Sequence, residues 1–202
     1  MINRRLVPAL AASGLALSLS LQACAPLAIG AGAAAVGVGV AQERSFGDGV
    51  DDIAIRTKVR SAFIGDPNSY PDIDVNSVEG RVLLTGTVSN DEARRQAVQL
   101  AWKVDDVAEV IDEIVVGERT SAYEGGADAR IETALRSRLV ADRKIPNLNY
   151  IIIVSQGAVH LMGLAADEAE LSRVTEQART VAGVKKVVSH VQFKSDPARR
   201  MR

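Results

Sequence analysis

The chain is poor in the residues that small proteins use for chemistry or for covalent stabilisation. Its 202 residues include one cysteine, so no intrachain disulfide can form, and stability has to come from packing even in an oxidising compartment. Three Phe, three Tyr and one Trp leave any core mostly aliphatic. The two histidines, His160 and His190, both fall in segments that read as strands. With no cysteine nearby and no carboxylate at ligand spacing, they make no metal site by sequence, and ordinary strand positions explain them. No Gly-x-Ser-x-Gly elbow supplies a nucleophile to either imidazole. The acidic pairs Asp51-Asp52, Asp91-Glu92, Asp105-Asp106 and Asp112-Glu113 sit at helix starts or turns, and capping accounts for those at helix starts. No catalytic residue, metal ligand or cofactor is expected, and the chain does not read as an enzyme.

Excess positive charge is missing too. The 24 basic side chains face 25 acidic ones, and removal of Met1–Ala23 takes away Arg4 and Arg5, which argues against nucleic acid as a partner. The apolar stretch Leu27–Ala41 has about 15 residues, short of the ~18–20 that cross a bilayer as a helix. Its glycines weaken a helix by roughly 1 kcal/mol each, so it reads as a flexible tether. Within it Gly30-Ala31-Gly32-Ala33-Ala34-Ala35 imitates a dinucleotide-binding fingerprint, but no strand of a βαβ unit precedes it.

What stands before the tether is a signal segment: a start carrying Arg4 and Arg5, then the apolar run Leu6–Leu21. It ends in Leu21-Gln22-Ala23-Cys24, which resembles the bacterial lipobox, although Gln22 stands where a small residue is usual. The resemblance implies cleavage before Cys24 and lipid attachment, with palmitate as an acyl group, at that cysteine. Ala25 follows where an Asp would commonly signal retention in the inner membrane, so the outer membrane, with the chain facing the periplasm, is the expected address.

Beyond residue 48 the chain repeats itself at an offset of about 77. Gly80-Arg81-Val82-Leu83-Leu84-Thr85-Gly86 matches Gly157-Ala158-Val159-His160-Leu161-Met162-Gly163, and Asp106-Val107 falls on Gly183-Val184. Val110-Ile111 falls on Val187-Val188. Ile55, Val59 and Phe63 correspond to Ile131, Leu135 and Leu139 with the offset one shorter. Each copy opens on a helix carrying that apolar triplet, with Asp51 or Asp52 as the expected cap of the first and Asp128 of the second. A hairpin follows, from Ile73–Val75 to Val82–Val88 and from Tyr150–Val154 to Ala158–Met162. Asn90 caps a second helix with an alanine-rich stripe, matched by about Asp167–Val181, and strands Val110–Val116 and Val187–Phe193 close the copies. Trp102 in the first of these helices fits either a core or an exposed position. The fold class is α+β: α-β-β-α-β twice, each sheet of three strands covered on one face by two helices.

This order, with the Gly-x-Val-x-Leu-x-Gly strand and a Gly-Val pair before the last strand, resembles the BON domain. Copy one departs in carrying Asp106 in place of the glycine, which stiffens that turn. The domain expectation is a signal peptide at 1–23, a lipidated tether at 24–47, BON domains at 48–118 and 127–194, and a basic tail at 195–202. Tandem copies behind a lipobox are similar to dual-BON outer-membrane lipoproteins of the DolP type. That resemblance implies a non-enzymatic periplasmic protein that binds anionic phospholipids through its second copy and supports the outer-membrane barrier.

Charge divides by copy. Residues 48–119 hold 15 acidic and 8 basic side chains, residues 128–202 hold 8 acidic and 13 basic ones. Two readings fit, singly or together: the basic copy faces an anionic leaflet, gaining ~1 kcal/mol per Lys or Arg, and the two copies dock by opposite charge. The helix from Asp128 sets Arg130 and Arg136 opposite its core stripe, Val140 on the exposed face, and Arg138 at the border, its stem free to snorkel outward. Arg143 and Lys144 follow in the next loop. Basic groups around a limited apolar contact suit a phospholipid headgroup site, and a solvated amphipathic helix is the plain alternative. A rival function is recruitment of an envelope protein partner through the acidic first copy.

Overall fold

A computed structural model describes residues 46–118, 122–146 and 149–196. The signal segment, Cys24 and the tether lie outside the described residues, as do the last six residues of the expected tail. The described elements are α1 (Phe46–Gly65), β1 (Ile73–Val78), β2 (Arg81–Val88), α2 (Asp91–Trp102) and β3 (Glu109–Val116). The same order returns as α3 (Ala122–Ala141), β4 (Tyr150–Ser155), β5 (Ala158–Ala165), α4 (Glu168–Arg179) and β6 (Lys186–Phe193). Each copy is a three-stranded sheet with its second strand central, antiparallel to the first and parallel to the third.

Local chemistry explains most boundaries. The hairpins turn on Glu79-Gly80 and Gln156-Gly157, all four at positive φ, the two-residue geometry whose twist suits adjoining strands. Asn90 caps α2 by accepting the Ala93 N–H at 2.9 Å, and Asp167 caps α4 through the Glu170 N–H at 2.8 Å. The second glycine of the repeated strand motif has a steric reason. Gly86 and Gly163 lie at φ +119° and +138°, and a Cβ there would stand 1.9 Å from the carbonyl oxygens of Asp72 and Asn149. No other residue fits where the chain entering the hairpin crosses so closely.

Each sheet buries one face under its own two helices. In copy one Ile55, Val59 and Phe63 of α1 and Ala97 and Ala101 of α2 meet Val75, Val82, Leu84 and Ile114. In copy two Ile131, Leu135 and Leu139 meet Ile152, Val159, Leu161, Val174 and Ala178. The small residues of α2 and α4 let those helices lie close to the strands, while Trp102 at the end of α2 is half exposed.

The opposite faces are not left to solvent. Val78 and Leu83 of copy one pack with Ile153 and Met162 of copy two, flanked by Ile111 and Ile151. Arg81 donates from Nη1 to the His190 carbonyl at 2.7 Å, and Gln156 donates from Nε2 to Thr87 Oγ1 at 2.9 Å. The order is therefore helices, sheet, sheet, helices, and β2 and β5 are covered on both faces. Burial of a side chain such as Leu83 or Met162 contributes roughly 1.5–3 kcal/mol, so the two copies support one another.

Candidate functional site

The aspartates expected to cap α1 and α3 do something else. Both helices begin about six residues earlier than the apolar periodicity suggests, so Asp52 and Asp128 stand in the second turn and are buried. Asp128 turns its carboxylate onto the hairpin, accepting the N–H of Gln156 at 2.7 Å and of Gly157 at 2.8 Å. Asp52 accepts from Glu79 N at 2.8 Å, Gly80 N at 3.1 Å and Ser77 Oγ at 2.7 Å. The two consecutive N–H groups of a left-handed turn point the same way and form a small anion nest, which an internal carboxylate fills.

Beside this tie, α3, the β4–β5 turn and the segment before β6 enclose a hollow of about 450 Å³. Ile131, Ala134 and Val181 supply its apolar wall, and Arg130, Arg138 and Lys185 its positive charge. Arg130 donates from Nε to the Gly126 carbonyl at 3.0 Å. Arg138 does not snorkel outward: its Nη1 donates to Thr180 Oγ1 at 2.8 Å and the Gln177 carbonyl at 3.3 Å, which draws the guanidinium toward the end of α4. Among the described residues none of the three cations is paired with a carboxylate.

The remaining basic residues of the expected site stand elsewhere. Arg136 lies about 120° round α3 from Arg130 and is paired with Glu132 at 2.8 Å. Val140, 62% exposed, shares that flank. Arg143 and Lys144 are exposed in the turn beyond the helix, where the Lys144 N–H donates to Asp142 Oδ1 at 3.0 Å. The structure thus gathers Arg130 and Arg138, adds Lys185, and leaves Arg136, Val140, Arg143 and Lys144 outside the hollow.

Lys185 is distant in sequence from α3, and a comparison of the copies sets it apart. At the matching offsets Arg130, Arg138 and Lys185 fall on Ala54, Ala62 and Ala108. Ala127, Ala182 and Gly183 fall on Asp51, Asp105 and Asp106, and Ala134 on Lys58, which pairs with Asp106 at 3.6 Å. The hollow of copy two is largely apolar and rimmed by cations, whereas the matching positions of copy one lack those cations and carry aspartates. Copy one has a separate hollow of about 430 Å³ beside the start of α2, rimmed by Tyr70, Asp72, Glu92 and Gln96.

The repeated α-β-β-α-β unit, its glycine-closed strand and the shared aspartate tie define a protein of tandem BON domains, and the chain belongs to that family: the BON domain profile matches residues 51–118 and 127–195. The sequence is 37% identical over 152 residues to an uncharacterized protein of the gshII 5′ region of Anaplasma centrale, covering 75% of this chain and all of that one. It is 31% identical to the outer membrane lipoprotein DolP of Haemophilus influenzae, over 74% of this chain and 78% of that one. A 21 kDa hemolysin of Actinobacillus pleuropneumoniae is 30% identical over the same shares. These relatives indicate a bacterial envelope protein.

Proposed function

We propose that the chain is a non-enzymatic outer-membrane lipoprotein, anchored through Cys24, whose second BON domain binds anionic phospholipid headgroups in the hollow beside α3 and so supports membrane integrity. One observation carries the reading: three cations without carboxylate partners among the described residues surround an apolar hollow in copy two, and the matching positions of copy one are alanines. A phosphodiester headgroup needs both charge-assisted hydrogen bonds and a place for its apolar stem. Arginine supplies the planar fork, and Lys185 the third charge at the opposite rim. The anchor raises the local concentration of lipid, so a weak site is sufficient. Kinship with a named outer membrane lipoprotein supports the address.

The test is co-flotation of a soluble form lacking residues 1–24 with vesicles of phosphatidylglycerol or cardiolipin and with phosphatidylcholine vesicles. Binding to the anionic vesicles alone, weakening as salt rises, is the expected result. Equal binding to all three, or none, contradicts it. The mass of the mature N-terminus tests the anchor separately.

A second reading rests on the separate hollow of copy one beside the start of α2, where Asp72 and Glu92 flank Tyr70 and Gln96. There a basic segment of an envelope protein would dock. Capture of such a protein by a variant with Asp72 and Glu92 intact, and its loss on D72K/E92K, distinguishes this from lipid binding.

A further inference from the structure

The two histidines that looked isolated in sequence meet a carboxylate of the other copy. His160 stands on β5 and His190 on the adjoining β6, both on the sheet face turned toward copy one. Glu113 of β3 reaches them from the opposing sheet. One ligand atom from each of the three lies within 4.8 Å of the others. Glu113 Oε1 is 3.3 Å from His190 Nε2, and Oε2 is 4.0 Å from His160 Nδ1. The imidazole rings are parallel to within 4°, their centroids 6.0 Å apart.

We propose that Glu113, His160 and His190 form a binding site for a divalent transition cation, with zinc as the best fit, that joins the two BON domains. Tetrahedral zinc with Zn–N and Zn–O bonds of about 2.0–2.2 Å holds its donor atoms roughly 3.3–3.6 Å apart, so the three groups need only small side-chain adjustments. Two imidazoles and one carboxylate are the nitrogen–oxygen set that zinc accepts, with water in the fourth position.

Burial gives an independent reason. Among the described residues His160 Nδ1 and His190 Nε2 are enclosed and make no well-formed hydrogen bond, with Glu113 3.3 Å from the latter, and their side chains are only 3% and 13% exposed. A buried polar atom left unsatisfied is costly, and a cation would satisfy both nitrogens together with the carboxylate between them. Burial lowers the pKa of both imidazoles, partly opposed by the Glu113 carboxylate. The other charges facing the pair are Lys186, Arg81 and Glu109, and Arg81 is engaged by Glu109 at 2.7 Å. A side pocket of about 190 Å³, lined also by Gln156, Lys185 and Lys186, opens beside Glu113 and His160.

Glu113 and His190 are equivalent positions of the two copies, so the site exists only because the copies have diverged. The cation would fasten copy two to copy one where β3 faces β5 and β6. This is independent of lipid binding at the hollow beside α3.

The experiment is titration of the full chain, purified in detergent and stripped with a chelator, with zinc chloride by calorimetry, alongside Co²⁺ absorption. The expected result is one ion per chain, a tetrahedral Co²⁺ spectrum, and a thermal midpoint several degrees higher with zinc. E113Q and H190Q each weaken binding at least tenfold and abolish the zinc-dependent shift. Should E113Q fail to fold, H190Q and the wild-type stoichiometry decide. An unshifted midpoint in the wild type, or zinc binding unchanged in a folded E113Q or H190Q, overturns the proposal.

Discussion

At the scale of single residues, the two copies differ most tellingly where one backbone shape is served by different side chains. Asp106 occupies a left-handed turn at φ +69°, and Gly183 takes the same place in copy two at φ +95°. An L-residue in that region costs about 1 kcal/mol, less for Asp than for most. The Lys58 pair that Asp106 gains is exposed on both sides and worth little. Glycine's greater freedom in the unfolded chain offsets part of that relief, so Asp106→Gly is expected to raise stability by at most about 0.5 kcal/mol, read as a slightly higher urea midpoint. A lower midpoint would mean that the aspartate contributes more than its backbone costs. The alanine-for-cation exchange at Ala54, Ala62 and Ala108 belongs to the same scale: it changes a surface without touching the fold.

At the scale of elements, the tie from the first helix to its hairpin organises each copy. Asp128 serves two N–H groups that no strand or helix can satisfy. Asp128→Ala leaves both without an acceptor and is expected to cost roughly 2–4 kcal/mol in chemical denaturation. A loss under about 1 kcal/mol would show that water replaces the carboxylate without penalty.

Local rules made much of this legible in the sequence. The hairpins follow from turn residues between β-rich runs, and the Asn90 and Asp167 caps from side chains three residues before the N–H they accept. The role of Asp52 and Asp128 was hidden because their partners lie 25 to 29 residues downstream. The second covered face of each sheet was hidden likewise, though β5 reads Ala-Val-His-Leu-Met-Gly-Leu-Ala, a nearly continuous apolar run of the kind found in strands buried on both sides. Of the residues expected at a headgroup site, Arg130 and Arg138 line the hollow, while Arg136, Val140, Arg143 and Lys144 lie outside it, because charge along a helix and its following loop does not say which neighbour it faces. Lys185, and Glu113 beside the histidines, come from other elements and needed the fold.

At the scale of the whole molecule, the sheets pack through Leu83, Ile153 and Met162, which places the helices in the outer layers. The inner interface sets the two copies against one another, and the outer face of copy two carries the cationic hollow. An acidic copy joined to a basic one is what a protein needs if only one of its domains is to meet an anionic surface. The most direct test of that division compares two charge reversals in the soluble form on cardiolipin vesicles. R130E/R138E/K185E should lower binding at least tenfold, while R136E/R143E/K144E, of equal net charge change, should lower it only slightly. Equal losses from the two variants, or a larger loss from the second, would contradict a site in the hollow.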